Sequence, residues 1–324
     1  MFKVGLEISD VAINKNNFIG ATLHCLTNIN DLTVFINSKE PIKNSLHDYY
    51  KKLLQDIKKL NDDKKICSPN FEEFLIDKKE CENKNNYNPK YLINQILTEF
   101  NLYFLSEFQD SKISDTFFIT IQKINKCLNC NHYEGKIIEE KFLIFDLHKE
   151  YNKKEREKKF SIHNFLNDFT NEANEGNKEM NSHCKICNKD TKQKEIIIFK
   201  TLPDVLIIFV DYGKDDTFEF EGEFEFNETL NFNDINNVES KLKTKEYYLS
   251  SIISVREIMK EKEHYYTFCR ENENESYYCY NGKYVHEVKG ISNKLKKNNI
   301  QLNNNKERLP YALIYNSIKK NNEI

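Results

Sequence analysis

The chain has no tryptophan, no block of one charge sign and no apolar run of the ~18 residues that a membrane-spanning helix needs. Each absence excludes something. Lysine plus arginine (48) nearly balance aspartate plus glutamate (51) over 324 residues, a net charge of -3. This argues against a nucleic-acid or anionic-membrane surface as the main business of the protein. No secretory leader is expected, and the nine cysteines form no disulfide framework, so a reducing cytosol or nucleus is the consistent home. Tryptophan is missing while Asn, Lys and Ile abound, a skew that reads as AT-rich coding bias. Asn-rich segments such as Glu80 to Asn88 and Lys294 to Arg308 then read as solvated loops. No internal repeat is present.

Four cysteines carry the clearest chemical signal: Cys127-Leu-Asn-Cys130 and Cys184-Lys-Ile-Cys187. Two Cys-x-x-Cys pairs on tight turns suit tetrahedral zinc, each supplying two sulfurs at ~2.3 Å from the metal. Four thiolates leave no open coordination position, so a Zn²⁺ held there is structural. The other cysteines (Cys25, Cys67, Cys81, Cys269, Cys279) are scattered.

Periodicity divides the chain. Apolar residues from Asn17 to Phe35 predict a largely buried helix, and Leu46 to Leu60 an amphipathic one with Tyr50, Leu53, Leu54, Ile57 and Leu60 on one stripe. Ser68-Pro69 reads as an N-cap and first helical residue opening NFEEFLID, and a further helix is expected from Pro89 to about Leu105. Beyond about residue 115 the runs become β-branched and aromatic. Strands are predicted at Phe117 to Ile124, Lys136 to Leu147, Glu195 to Lys200, Val205 to Tyr212, Tyr247 to Val255, His264 to Arg270, Tyr277 to Tyr280 and Tyr311 to Ile318. A helix from Ile162 to Asn174 separates the two cysteine pairs. The fold class is α+β, a helical lobe before a mostly antiparallel sheet with a zinc-bearing extension.

Several segments together carry a family resemblance. Leu202 to Val210 (LPDVLIIFV), Tyr247 to Val255 (YYLSSIISV), Glu263 to Arg270 (EHYYTFCR), Tyr277 to Val285 (YYCYNGKYV) and Leu309 to Tyr315 (LPYALIY) stand in order, with the cysteine quartet before them. They resemble the Leu-Pro-x-Val-Leu strand, the Tyr-x-Leu-x-Ala-Val-Ile segment, the Gly-His-Tyr box, the Trp-Tyr-x-Phe-Asn/Asp-Asp segment and the closing strand of the ubiquitin-specific proteases. These are deubiquitinating cysteine peptidases. The resemblance covers nearly the whole chain. It implies a papain-like fold in one domain, 1–324: a helical thumb (1–115), β-fingers with the zinc ribbon and the start of the palm (116–215), and the palm (216–324).

That chemistry needs a thiolate at a helix N-terminus, a histidine to take its proton, a residue to orient the histidine and a donor for the oxyanion. The resemblance places His264 as the base and Asn281 as its orienting partner. The nucleophile is missing in both possible registers against the family's Gly-Asn-Thr-Cys-Tyr-x-Asn-Ser-x-Leu-Gln signature. Aligning Leu23-His24-Cys25-Leu26 puts Asn17 at the cysteine position and Phe18 at the tyrosine; aligning Gly20-Ala21-Thr22 puts Leu23 there instead, with Phe18 at the oxyanion asparagine. Cys25 is two residues beyond Leu23, a rotation of about 200°, or eight beyond Asn17, a rise of about 12 Å, so it reaches neither position. Other departures agree: Asn86-Tyr87-Asn88-Pro89 stands for Gln-Gln-Asp-Ala, Glu263 for the glycine before the histidine, and Gly282 for an acidic residue. The resemblance with these losses implies a pseudo-deubiquitinase. It would be a scaffold or ubiquitin-binding subunit whose partners are ubiquitin or a ubiquitin-like protein and a proteasomal, spliceosomal or chromatin-modifying assembly. The alternatives are an active hydrolase with a relocated nucleophile, and a zinc-ribbon interaction protein unrelated to ubiquitin.

Overall fold

The computed structural model describes residues 5–6, 17–60, 66–67, 88–147, 159–170, 179–211, 223–259, 262–281, 284–288 and 309–318. The capped helix read at Ser68 to Asp77 and the loop read at Lys294 to Arg308 lie outside them, as does the loop read at Glu80 to Asn88 except for Asn88 itself.

Helices α1 (Asn17–Thr27), α2 (Asn30–Ser38), α3 (Leu46–Lys59), α4 (Pro89–Phe108) and α5 (Lys112–Phe117) form the first lobe. The single helix expected from Asn17 to Phe35 is two. Thr27 Oγ1 and Asn28 Nδ2 both donate to the His24 carbonyl, and Ile29 is extended (φ -83°, ψ 105°), so local side-chain bonds end α1. In α3 the Ser45 hydroxyl accepts from the Asp48 N–H at 3.1 Å, and Tyr50, Leu53, Leu54 and Ile57 are buried on one stripe. Asn88 caps α4 by accepting from the Tyr91 N–H at 2.9 Å, with Pro89 at the first helical position. The same helix ends on Gln109 in the left-handed region (φ 51°), whose N–H returns to Leu105, while that of Asp110 returns to Phe104.

Two sheets follow. The palm sheet has eight strands: β15 (Tyr284–Val288), β14 (Tyr277–Asn281), β13 (Lys262–Cys269), β12 (Glu246–Met259), β16 (Leu309–Ser317), β9 (Val205–Asp211) and β5 (Leu143–Asp146) in that order, with β11 (Thr229–Asn231) also paired to β12. Only the β5–β9 pair is parallel. Strand β9 shows why its sequence is continuously apolar. Val205, Ile207 and Phe209 enter the core beneath the helices, and Leu206, Ile208 and Val210 enter a second core on the opposite face. The finger sheet is β4 (Tyr133–Glu140), β3 (Ile119–Cys127), β8 (Lys189–Thr201) and β7 (Glu179–Cys184). The expected strand from Lys136 to Leu147 is divided between the two sheets, as β4 and β5. Phe117, expected to open a strand, closes α5 and is fully buried against the helices. Ile162 to Thr170 is helical (α6), and its Leu166 joins the second core. The short pairs β1 (Gly5–Leu6) with β2 (Ile66–Cys67) and β6 (Lys159–Ser161) with β10 (Glu223–Glu225) complete the described strands.

The helical lobe holds a pH-sensitive group. His47, fully buried in the first turn of α3, donates from Nε2 to the Ile36 carbonyl at 2.9 Å and lies 5.0 Å from the Phe104 ring. Its Nδ1 is buried without a hydrogen-bond partner. Burial first, and Lys51 in addition, lower its pKa; the Ile36 bond and the Asp48 and Glu40 carboxylates pull the other way without prevailing. The native state therefore keeps His47 neutral, while the unfolded chain takes up a proton as pH falls through about 6.5. Stability is held above that pH and lost below it, at up to about 1.4 kcal/mol per pH unit for one proton. Urea unfolding of His47→Gln, whose amide N–H can replace the Ile36 bond, is expected to show a flatter stability profile between pH 7.5 and 5.5 than wild type. Equal slopes would remove His47 from the account. Asp48 and Asp110, held low by Lys52 and Lys39 respectively, add their own loss only at lower pH, through the carboxylate range.

Candidate active site and candidate metal centre

Strand β13 lies along helix α1 in a readable register. Thr267 Oγ1 donates to the Ala21 carbonyl at 2.8 Å, and Cys269 Sγ approaches the His24 carbonyl at 3.9 Å. Strand and helix therefore run in the same sense. Stepping back from Thr267 to His264 moves ~10 Å along the strand, and from Ala21 to Asn17 ~6 Å along the helix. His264 thus sits toward the N-terminal end of α1, where the first helical residue is Asn17. Leu23 lies in the second turn and is fully buried.

His264 is half-buried and meets Asn281 of β14, with Nε2 to Oδ1 at 2.8 Å. The pairing Thr267↔Tyr280 sets this up: continued by one step it brings Asn281 opposite Tyr266, whose diagonal neighbour on the same strand face is His264. The Tyr266 ring packs edge-on against the imidazole at 4.5 Å. An amide oxygen has no proton to give, so Nε2 carries the hydrogen, and in the neutral form of the ring the lone pair is on Nδ1. That is the tautomer of a general base oriented by a neutral partner.

Outside the quartet, none of the three cysteines whose side chains are described, Cys25, Cys269 and Cys279, is poised. Cys25 is fully buried, and burial, then Cys269 beside it, push it well up against a smaller opposing pull from Ser251. Burial takes Cys269 up to about 12. Cys279 is buried on β14. Of the family-motif departures, Asn88 is occupied as the cap of α4, while the Glu263 side chain and Gly282 lie outside the described residues.

The quartet does converge. The sulfurs of Cys127, Cys130, Cys184 and Cys187 all lie within 4.8 Å of one another, with Cys127–Cys187 at 3.9 Å and Cys130–Cys184 at 3.6 Å. A Zn–S tetrahedron with ~2.3 Å bonds has edges of ~3.8 Å, so the cluster fits a zinc site, with its widest separation slightly open. Both turns are built alike. Each second cysteine is followed by an asparagine in the left-handed region, Asn131 (φ 59°) and Asn188 (φ 50°), a conformation asparagine tolerates better than other side-chain-bearing residues. The Leu128 N–H donates to the Lys192 carbonyl at 2.9 Å, tying the first turn to the second hairpin. Four thiolates this close repel one another. The Thr191 hydroxyl, then backbone N–H groups, hold Cys127 at about 6. At Cys130 the backbone at His132 lowers the pKa, but burial and the three neighbouring sulfurs outweigh it and take it to about 12. A divalent cation is what allows all four to ionise together.

A helical thumb, a sheet palm and a four-cysteine finger around a histidine–asparagine dyad make up the fold of the deubiquitinating cysteine peptidases. Residues 17–285 match the family model for ubiquitin carboxyl-terminal hydrolase, and the chain belongs to this family. Similar solved structures include the SAGA DUB module of Ubp8, Sgf11, Sus1 and Sgf73 bound to monoubiquitin (16% identity, TM-score 0.69, 99% of this chain and 71% of that one covered). The same module bound to ubiquitin aldehyde is similar over 99% of this chain and 71% of that one (17% identity, TM-score 0.69). The yeast SAGA DUB module carrying an Sgf73 mutant is similar over 99% and 70% (16% identity, TM-score 0.69). No curated protein matches the chain. Among the described residues no helix is long and apolar enough to cross a membrane.

Proposed function

We propose that this ubiquitin carboxyl-terminal hydrolase domain has lost its nucleophile and serves as a ubiquitin-binding or scaffold subunit of a larger assembly. The observation that carries this is the start of α1. Asn17 opens the helix toward the end where His264 lies, and the single cysteine of that helix, Cys25, is buried two turns on. The register that puts Leu23 at the nucleophile would start the helix after Thr22, yet residues 17–22 are already helical. An amide has no nucleophilic lone pair comparable to a thiolate, so no thioester forms. In this reading His264 and Asn281 are the remnants of the triad, the chain folds as one domain, and the quartet holds a structural Zn²⁺. Its home is the cytoplasm or nucleus.

The similar solved structures hold ubiquitin within a multi-subunit module, and the palm and finger sheets here do not depend on a nucleophilic thiol at the start of α1. Ubiquitin and a chromatin-modifying assembly are therefore the partners proposed. The test pairs two measurements on one preparation. A ubiquitin C-terminal amide reporter is expected to show no turnover, loss of a nucleophile in such a site costing on the order of a millionfold. Titration of labelled ubiquitin is expected to show binding. Steady hydrolysis that disappears in Cys25→Ala would overturn the proposal, and absence of ubiquitin binding would leave only the scaffold half.

A further inference from the structure

Two side chains cross between the cysteine hairpins in opposite directions. Thr191, on β8 of the second hairpin and 8% exposed, places Oγ1 3.3 Å from Sγ of Cys127 in the first. Asn129, in the turn of the first hairpin, places Nδ2 3.3 Å from Sγ of Cys187 in the second. The strand register explains the first contact: Cys127 pairs with Gln193, and Thr191 is the next residue on that face of β8. A metal-bound thiolate carries no proton, so both bonds must run toward sulfur, from the hydroxyl and from the amide. Donors of this kind fix the orientation of a ligand and disperse its charge.

We propose that Thr191 and Asn129 are reciprocal positioning residues of the metal centre. Each is supplied by one hairpin to a sulfur of the other, so the tetrahedron is held in shape across the hairpin interface as well as within each turn. This rests on the zinc reading of the quartet. Neither residue is a ligand, and neither was marked by the Cys-x-x-Cys spacing. Thr191 follows Cys187 by four residues on a polar strand, and only the register brings it back to Cys127.

The experiment uses the full chain. Zinc affinity is measured by competition with a chromogenic chelator, and the Co²⁺-substituted protein by its sulfur-to-cobalt charge-transfer absorption. Thr191→Val keeps the shape and β-propensity of the side chain and removes the donor. It is expected to weaken zinc binding about tenfold, the low end for loss of such a partner. The charge-transfer band should move to longer wavelength, because a hydrogen bond lowers the energy of the sulfur lone pair. Thr191→Ser, which keeps the hydroxyl, should restore both. Asn129 is exposed, so Asn129→Ala decides the matter if Thr191→Val does not fold; it should weaken binding and shift the band in the same sense. A wild-type chain that binds no zinc would overturn the zinc reading itself. Wild-type zinc binding, with both variants unchanged in affinity and band position, would overturn this proposal alone.

Discussion

Cys184→Ala is expected to abolish zinc binding and to loosen the finger tip while leaving the palm intact. The size of the first effect follows from the metal. Structural zinc in small cysteine sites contributes on the order of 10 kcal/mol at neutral pH, and three sulfurs with one open position hold far less of it. The locality of the second follows from the sheet. Strands β3 and β8 pair in unbroken register from Cys127↔Gln193 to Ile121↔Phe199, and Ile121 and Phe199 anchor their roots in the palm core. Metal loss therefore opens the turns around residues 127–133 and 184–190, not the whole ladder. Hydrogen exchange read by mass spectrometry should show faster exchange in peptides covering those turns and unchanged protection in β9, β12 and β16. Unchanged exchange at the tip, or a wild-type chain without metal by elemental analysis, would remove zinc from the structure.

Asn17→Cys is expected to create a thiol that a ubiquitin-derived electrophile labels. A cysteine there would stand at the first turn of α1, where helix N–H groups favour an anion, toward the end of the helix that His264 occupies. Adding His264→Ala to that variant should slow labelling by about a hundredfold or more, the usual contribution of a positioned base. Turnover of the reporter should remain low even with the thiol present. Glu263 stands where the family has glycine, and Gly282 where it has an acidic residue. Labelling that ignores His264→Ala would show that the dyad does not face this position.

Much of this site was legible because it rests on spacing. The Cys-x-x-Cys pairs specify two turns whatever the chain between them does, and the sulfurs meet. The family resemblance paired His264 with Asn281, and the sheet register brings the two side chains to 2.8 Å. Strand β9 was legible too, since a strand with both faces buried must be apolar throughout. The failures lie where short-range bonds compete with periodicity. The break between α1 and α2 is made by Thr27 and Asn28 bonding to one carbonyl, which a hydrophobic pattern does not register. The division of Lys136 to Leu147 between two sheets turns on Lys141 and Phe142, with no glycine or proline to mark it. Strand β15 went unassigned as a separate element, and β7, polar along its length, carried no apolar alternation. Thr191 and Asn129 depend wholly on tertiary placement.

On the proposed reading, no poised nucleophile remains in the protein. Incubating the wild-type chain with a ubiquitin C-terminal electrophile, beside Asn17→Cys as the positive control, tests it most directly by intact mass. Wild type is expected to gain no mass, and the variant a single ubiquitin adduct. A wild-type adduct mapped to any cysteine outside the quartet, Cys25 included, would contradict it.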